Sequence, residues 1–105
     1  MSRMSNLPEV RGRTVTVVTT GTPVQGPTLN VPAGAEIVVK AGRNNTGVIS
    51  VAESSANALN SSANNFDLLP NQSISLQVLN SNMIWFDSTV SGDTARLIFE
   101  FSPES

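Results

Sequence analysis

From Ser73 to Leu79 the chain reads "SISLQVL", with Ile74, Leu76 and Val78 alternating with Ser73, Ser75 and Gln77. A strict period of two puts every apolar side chain on one face of an extended strand and scatters them around a helix. This stretch therefore has to be a half-buried strand, and a strand needs partners. Similar runs recur along the chain. "TVTVVTT" (Thr14–Thr20) is β-branched throughout, and Ala35–Ala41 holds Ile37, Val38 and Val39 in succession. "VISVA", "FDLL", "MIWFDS" and "TARLIFEF" follow. A weak strand is expected over Thr28–Val31. The breaks between these runs are rich in Gly, Pro, Asn and Asp, which form turns. Glu53–Asn65 is the one segment with any helical character. It lacks an apolar stripe, so it predicts a single helical turn or an ordered loop.

Seven or eight short strands at intervals of roughly 8–12 residues, without a sustained helix, predict an antiparallel β-sandwich or jelly roll. A parallel α/β sheet is excluded because it needs crossover helices. At 105 residues the chain makes one domain. We expect an extended arm over residues 1–13, where "MSRMSNLPEVRGR" has no period and contains Pro8 and Gly12, and the sandwich over residues 14–105.

Composition narrows the chemistry. There is no Cys and no His, which removes thiolate nucleophiles, imidazole bases, disulfides and the common zinc ligands. The lack of Cys fits a cytosolic site of synthesis. With 14 serines, 9 threonines and 11 asparagines, 34 of 105 residues wet the surface with hydroxyls and amides. Clustered Lys and Arg, the footprint of phosphate binding, do not occur, so a nucleic-acid partner is not expected. No membrane-length apolar run and no signal peptide are read in the sequence. Residues 1–13 carry Arg3, Arg11 and Arg13 against Glu9, a net +2; the remainder sums to −4. A basic arm on an acidic body suits docking on an acidic neighbour.

Of the acids, Asp87 and Glu100 fall on strands adjacent in sequence and are the pair to examine for acid–base work. "DSTVSGD" (Asp87–Asp93) offers oxygen ligands for Ca²⁺ but lacks the acid density of a calcium loop. It reads as a hairpin turn with Gly92 at positive φ. Asn44, Asn60 and Asn71 match the glycosylation pattern, as chance allows in so Asn- and Ser-rich a chain. Neither a catalytic constellation nor a metal or cofactor site is expected. Several strands are apolar on both faces: Met83 and Trp85 oppose Ile84 and Phe86, and Val38 opposes Ile37 and Val39. A sandwich covers one face of each sheet. The second face needs the 53–65 segment, the arm or another subunit, and Val38, Ile84 and Phe86 are the expected contact residues.

Three segments carry a resemblance: "VPAGAEIVVKAGRNNTGVISVAES", "FDLLPNQSISLQVLNSNMIWFDSTVSGD" and "ARLIFEF". Together, over about residues 31–101, they resemble small β-sandwich virion proteins of tailed bacteriophages, most closely capsid decoration, or cement, proteins. Their pattern usually has Gly-Glu where this chain has Asn71-Gln72. The resemblance implies a structural, non-enzymatic protein on the outer capsid surface of the virion, made in the host cytoplasm. It implies binding to the major capsid protein, assembly as a homotrimer, and an N-terminal arm that contacts the shell or a neighbour through Leu7, Val10, Arg11 and Arg13. The alternative is a binding module of a tail tip or fibre that recognises a host glycan or receptor.

Overall fold

A computed structural model describes residues 9–31 and 35–101. Eight strands form: β1 (Glu9–Thr16), β2 (Val24–Gln25), β3 (Ile37–Ala41), β4 (Ile49–Ala52), β5 (Phe66–Leu68), β6 (Ser73–Leu76), β7 (Trp85–Ser88) and β8 (Thr94–Phe101). Between β4 and β5 lies one helical turn, α1 (Ser55–Ala58), and a 3-10 turn at Ser81–Met83 precedes β7. The strands build two four-stranded sheets in the orders β1-β8-β3-β6 and β2-β7-β4-β5. Every pairing is antiparallel. The fold is the all-β sandwich that the alternation predicted.

The core lies between the sheets. Val15, Ile37, Val39, Ala41, Ala95 and Leu97 face inward from the first sheet; Ile49, Val51, Leu68 and Phe86 face them from the second. Leu29 and Val31 close one end. Each large side chain so buried contributes roughly 1.5–3 kcal/mol. In β3 the alternation is plain: Ile37, Val39 and Ala41 are buried, Val38 and Lys40 half-buried. Neighbouring "TVTV" and "LIF" runs follow the same parity through the register Val15↔Ala95 and Val39↔Leu97.

Several expectations change. The arm is shorter than thirteen residues: Glu9–Arg13 extend β1, each paired with β8 from Leu97 to Phe101. Pairing with a long neighbour orders a sequence that has no strand pattern of its own. Thr28–Val31 is no strand; it contributes an isolated bridge, Asn30↔Asn80. Ile84 and Phe86 are 2% and 0% exposed, so they belong to the core and not to a contact surface. The 3-10 turn at Ser81–Met83 sets the phase with which the chain enters β7, and Met83, at 51% exposed, takes the outward place. Gly26 is required where the chain crosses that turn, because a Cβ there would overlap the carbonyl oxygen of Ser81.

Candidate functional site

The two acids of "DSTVSGD" are buried, and both are occupied by donors. Asp87 sits on the outer face of the second sheet beneath the α1 segment and is fully buried. Its Oδ1 accepts the backbone N–H of Gly21 at 3.0 Å and of Ser88 at 2.8 Å, and its Oδ2 accepts that of Asn60 at 2.8 Å. Asp93 Oδ2 accepts the N–H of Gly47 at 2.9 Å and the hydroxyl of Ser88 at 3.2 Å; its Oδ1 accepts the N–H of Thr46 at 3.3 Å. These carboxylates tie three loops to the turn between β7 and β8, which crosses from one sheet to the other and so is not the hairpin expected from the sequence, although Gly92 does take a positive φ. A carboxylate so engaged satisfies buried backbone donors. Among the described residues no group of three or more acid, His or Cys side chains gathers as metal ligands do. Asp87 and Glu100 belong to different sheets, in β7 and β8, and do not share a strand pair; the side chain of Glu100 lies outside the described residues.

The 53–65 segment answers half of the question that the two-faced strands pose. Ser54 caps α1 by accepting the N–H of Asn57 at 3.2 Å. The Asn60 amide donates to the Thr20 hydroxyl and to the Ser88 carbonyl, both at 2.9 Å. Asn65 donates to the Asn57 carbonyl at 2.9 Å and the Leu59 carbonyl at 3.1 Å. The loop thus lies over β4 and β7 and buries Ser50, Ala58 and Asp87. Asn60 is consequently a structural donor within the chain.

No such cover lies on the outer face of the first sheet among the described residues. The register lays out two rows across it. One runs Gly12, Ile98, Val38, Ser75; the other runs Thr14, Arg96, Lys40, Ser73. Ile98 is 38% exposed and Val38 half-buried. With no side chain at Gly12, the flank of Ile98 is open, and a shallow depression forms there between Arg13, Thr14 and Arg96. Among the residues whose side chains are described, the strands of this sheet carry Lys40 and Arg96 on the open face, whereas those of the other sheet carry Asp67 and Asp87 and no Lys or Arg.

A second feature is an apolar crevice of about 310 Å³ at the side of the sandwich. Its walls are Val51, Phe66, Leu76, Val78, Met83 and Ile84, with Glu53, Asn64 and Asn65 at the rim. Phe66 and Met83 are both more than half exposed, as are Leu69 and Leu79 outside the crevice lining.

Of the expected contact residues, the structure leaves Val38 on the open face and Arg13 exposed, its guanidinium donating to the Gly12 carbonyl at 2.8 Å. It withdraws Ile84 and Phe86 into the core. Leu7 lies outside the described residues, and so do the side chains of Val10 and Arg11. Ile98, Lys40 and Arg96 were missed as a surface, although the parity of "RLIFEF" against "EIVVK" held the signal. The crevice had no signal, since it depends on how far two strands from different sheets diverge. No protein-family model matches the chain, and neither a curated protein nor a solved structure matches it.

Proposed function

We propose that the chain is a structural virion protein: a decoration protein that sits on the outer capsid of a tailed bacteriophage, binds its major capsid protein and associates with copies of itself as a trimer. The observation that carries this reading is the open outer face of the first sheet. Its row of Ile98 and Val38 lies flat beside the cationic pair Arg96 and Lys40. An exposed aliphatic row bordered by charge is suited to docking on another protein surface. Lys40 and Arg96 favour an acidic partner and direct the approach. The two buried acids, meanwhile, are committed to backbone donors and serve the fold. The described residues thus form a plate with one dressed side and one side they leave open, which suits a protein that clamps a shell from outside.

The test is co-sedimentation with purified heads that lack the protein. The expected result is saturable binding and a rise in the temperature at which the heads release DNA. The doubly substituted Val38→Asp, Ile98→Asp protein should bind at least tenfold more weakly while its circular dichroism is unchanged. Absence of binding by the parent chain, or equal binding by the variant, would overturn the reading.

A second reading, a glycan- or receptor-binding module of the tail, draws support from Trp85, which is only half-buried in β7. Aromatic faces of this kind serve as sugar platforms. Quenching of Trp85 fluorescence by host surface polysaccharide, without head binding, would favour it.

A further inference from the structure

The tight turn from Leu69 to Gln72 joins β5 to β6, and it is closed by bonds from the Gln72 N–H to the Leu69 carbonyl and from the Leu69 N–H to Gln72 Oε1, both 2.9 Å. These two strands are the edges of opposite sheets. They are held together at the turn and diverge towards Phe66 and Leu76, and the wedge between them is the apolar crevice. Among the described residues each of these edge strands has a ladder on one side only. An apolar slot flanked by two free edges fits an extended segment, which adds main-chain bonds along an edge and inserts a side chain between the sheets. At about 310 Å³ the slot is at the small end for ligand sites, a size that suits one or two aliphatic side chains. Glu53 is the charged residue of the lining, so a cation beside the inserted side chain is favoured.

The chain itself contains such a segment. Ahead of β1 stand eight residues, "MSRMSNLP", with Arg3, Met4 and Leu7. β1 begins at the crevice end of the sandwich: Glu9 pairs with Phe101, two residues beyond the row in which Phe99, Ile37 and Leu76 stand side by side. β1 is nevertheless the far edge of its sheet from β6, about 14 Å across three strand spacings. In the sequence, Pro8 favours extended backbone at Leu7, as an inserted strand requires. Fully extended, eight residues span about 26 Å, long enough to reach the crevice of a second molecule.

We propose that residues 1–8 of one copy dock as an extended strand in the β5–β6 crevice of a second copy. Met4 or Leu7 enters the slot and Arg3 lies beside Glu53. Met is suited to an irregular slot because its unbranched side chain adapts to it. The contact is heterologous, so three copies linked head to tail close into a ring, in keeping with the trimer of the decoration reading. The inference deepens the decoration reading by assigning the arm a receptor, and it is separable from shell binding through the open face.

Because the chain has no Cys, engineered thiols report the contact without background. Full-length proteins carrying Met4→Cys and Met83→Cys are mixed and oxidised. The mixed disulfide dimer should exceed either homodimer at least fivefold, and adding Arg3→Glu to the first protein should lower its yield by a similar factor. A statistical mixture of dimers would overturn the proposal. So would a chain bearing both thiols that closes on itself as a monomer at high dilution, since the segment would then occupy its own crevice. Loss of the cross-link with head binding retained counts against this inference alone. An intact cross-link with no head binding counts against the decoration reading alone.

Discussion

Replacing Asp87 by Ala tests whether a buried carboxylate holds the loop layer onto the sandwich. Three N–H groups lose their acceptor: those of Gly21, Asn60 and Ser88, at 3.0, 2.8 and 2.8 Å. Two of these bonds span 66 and 27 residues, and each fastens a different loop to β7. A hydrogen bond to a charged acceptor contributes about 1.5–3 kcal/mol, and a buried donor left alone costs about 1–3 kcal/mol. Relief of the carboxylate's own desolvation offsets part of this. The balance for the two long-range bonds is a loss of about 3–4 kcal/mol. Total stability for a domain of this class is about 5–15 kcal/mol. Urea unfolding followed by Trp85 fluorescence and far-ultraviolet circular dichroism should then show a midpoint lower by roughly 2 M, taking a slope near 1.5 kcal/mol per M. The melting temperature should fall by about 12–16 °C at ~4 °C per kcal/mol. Asp87→Asn keeps one acceptor oxygen and turns an NH₂ towards a donor, so it should lose about 2 kcal/mol. Asp67→Ala, at an exposed position in β5, is the control and should stay within about 0.5 kcal/mol. An Asp87→Ala protein within 1 kcal/mol of the parent would refute the assignment of this side chain as the fastener of the Gly21 and Asn60 loops.

Three further outcomes follow from the packing. Ile84→Asp should prevent folding because it buries a charge in the core, while Met83→Asp, one residue away, should keep the melting temperature within a few degrees; equal effects would mean the parity of β7 is misassigned. Gly26→Ala should cost at least about 2–3 kcal/mol, read as a drop in melting temperature, since the added Cβ meets backbone oxygens of Ser81 and Ile84 and not the end of a side chain that can swing away. Asn71 holds φ at 73°, so Asn71→Val should destabilise by about 1–2 kcal/mol in urea titration, and Asn71→Gly should be neutral or slightly stabilising.

Period-two patterning was enough to find the strands that pack on both sides. β3, β6 and β8 were legible because Ile37, Val39, Leu76 and Leu97 repeat at the pleat. β1 was legible only from Thr14 onward; Glu9–Arg13 has Gly12 and three charges, and it is a strand because β8 offers a long edge to pair with. The acids were legible as residues but not as fasteners. Asp87 at the end of an apolar run looks like a solvated strand end until the 53–65 loop is laid across it, and that placement depends on contacts between residues far apart in sequence. The break between "FDLL" and "SISLQVL" was readable as a turn from its Pro and Asn, and the structure adds that Asn71 takes the left-handed conformation, which Asn tolerates better than most residues.

The error about Ile84 and Phe86 shows where pattern reading stops. In "MIWF" both faces are apolar, so hydrophobicity alone does not say which face meets the core, and a shift of one residue exchanges the two sets. The choice is made next door. Asn80 accepts the N–H groups of Leu29 at 2.9 Å and Asn82 at 3.0 Å, and the Ser81 N–H donates to the Leu29 carbonyl at 3.0 Å. These bonds anchor the 3-10 turn to the Gly26–Leu29 crossing and fix the rotation at which β7 begins. Phe86 then falls opposite Val24 and Val51, inside, and Met83 falls at the mouth of the crevice. The same polar turn that decides what is core therefore decides what the crevice displays. Loosening it, as Asn80→Ala would, should alter the cross-linking of Met83 before it alters the strand content.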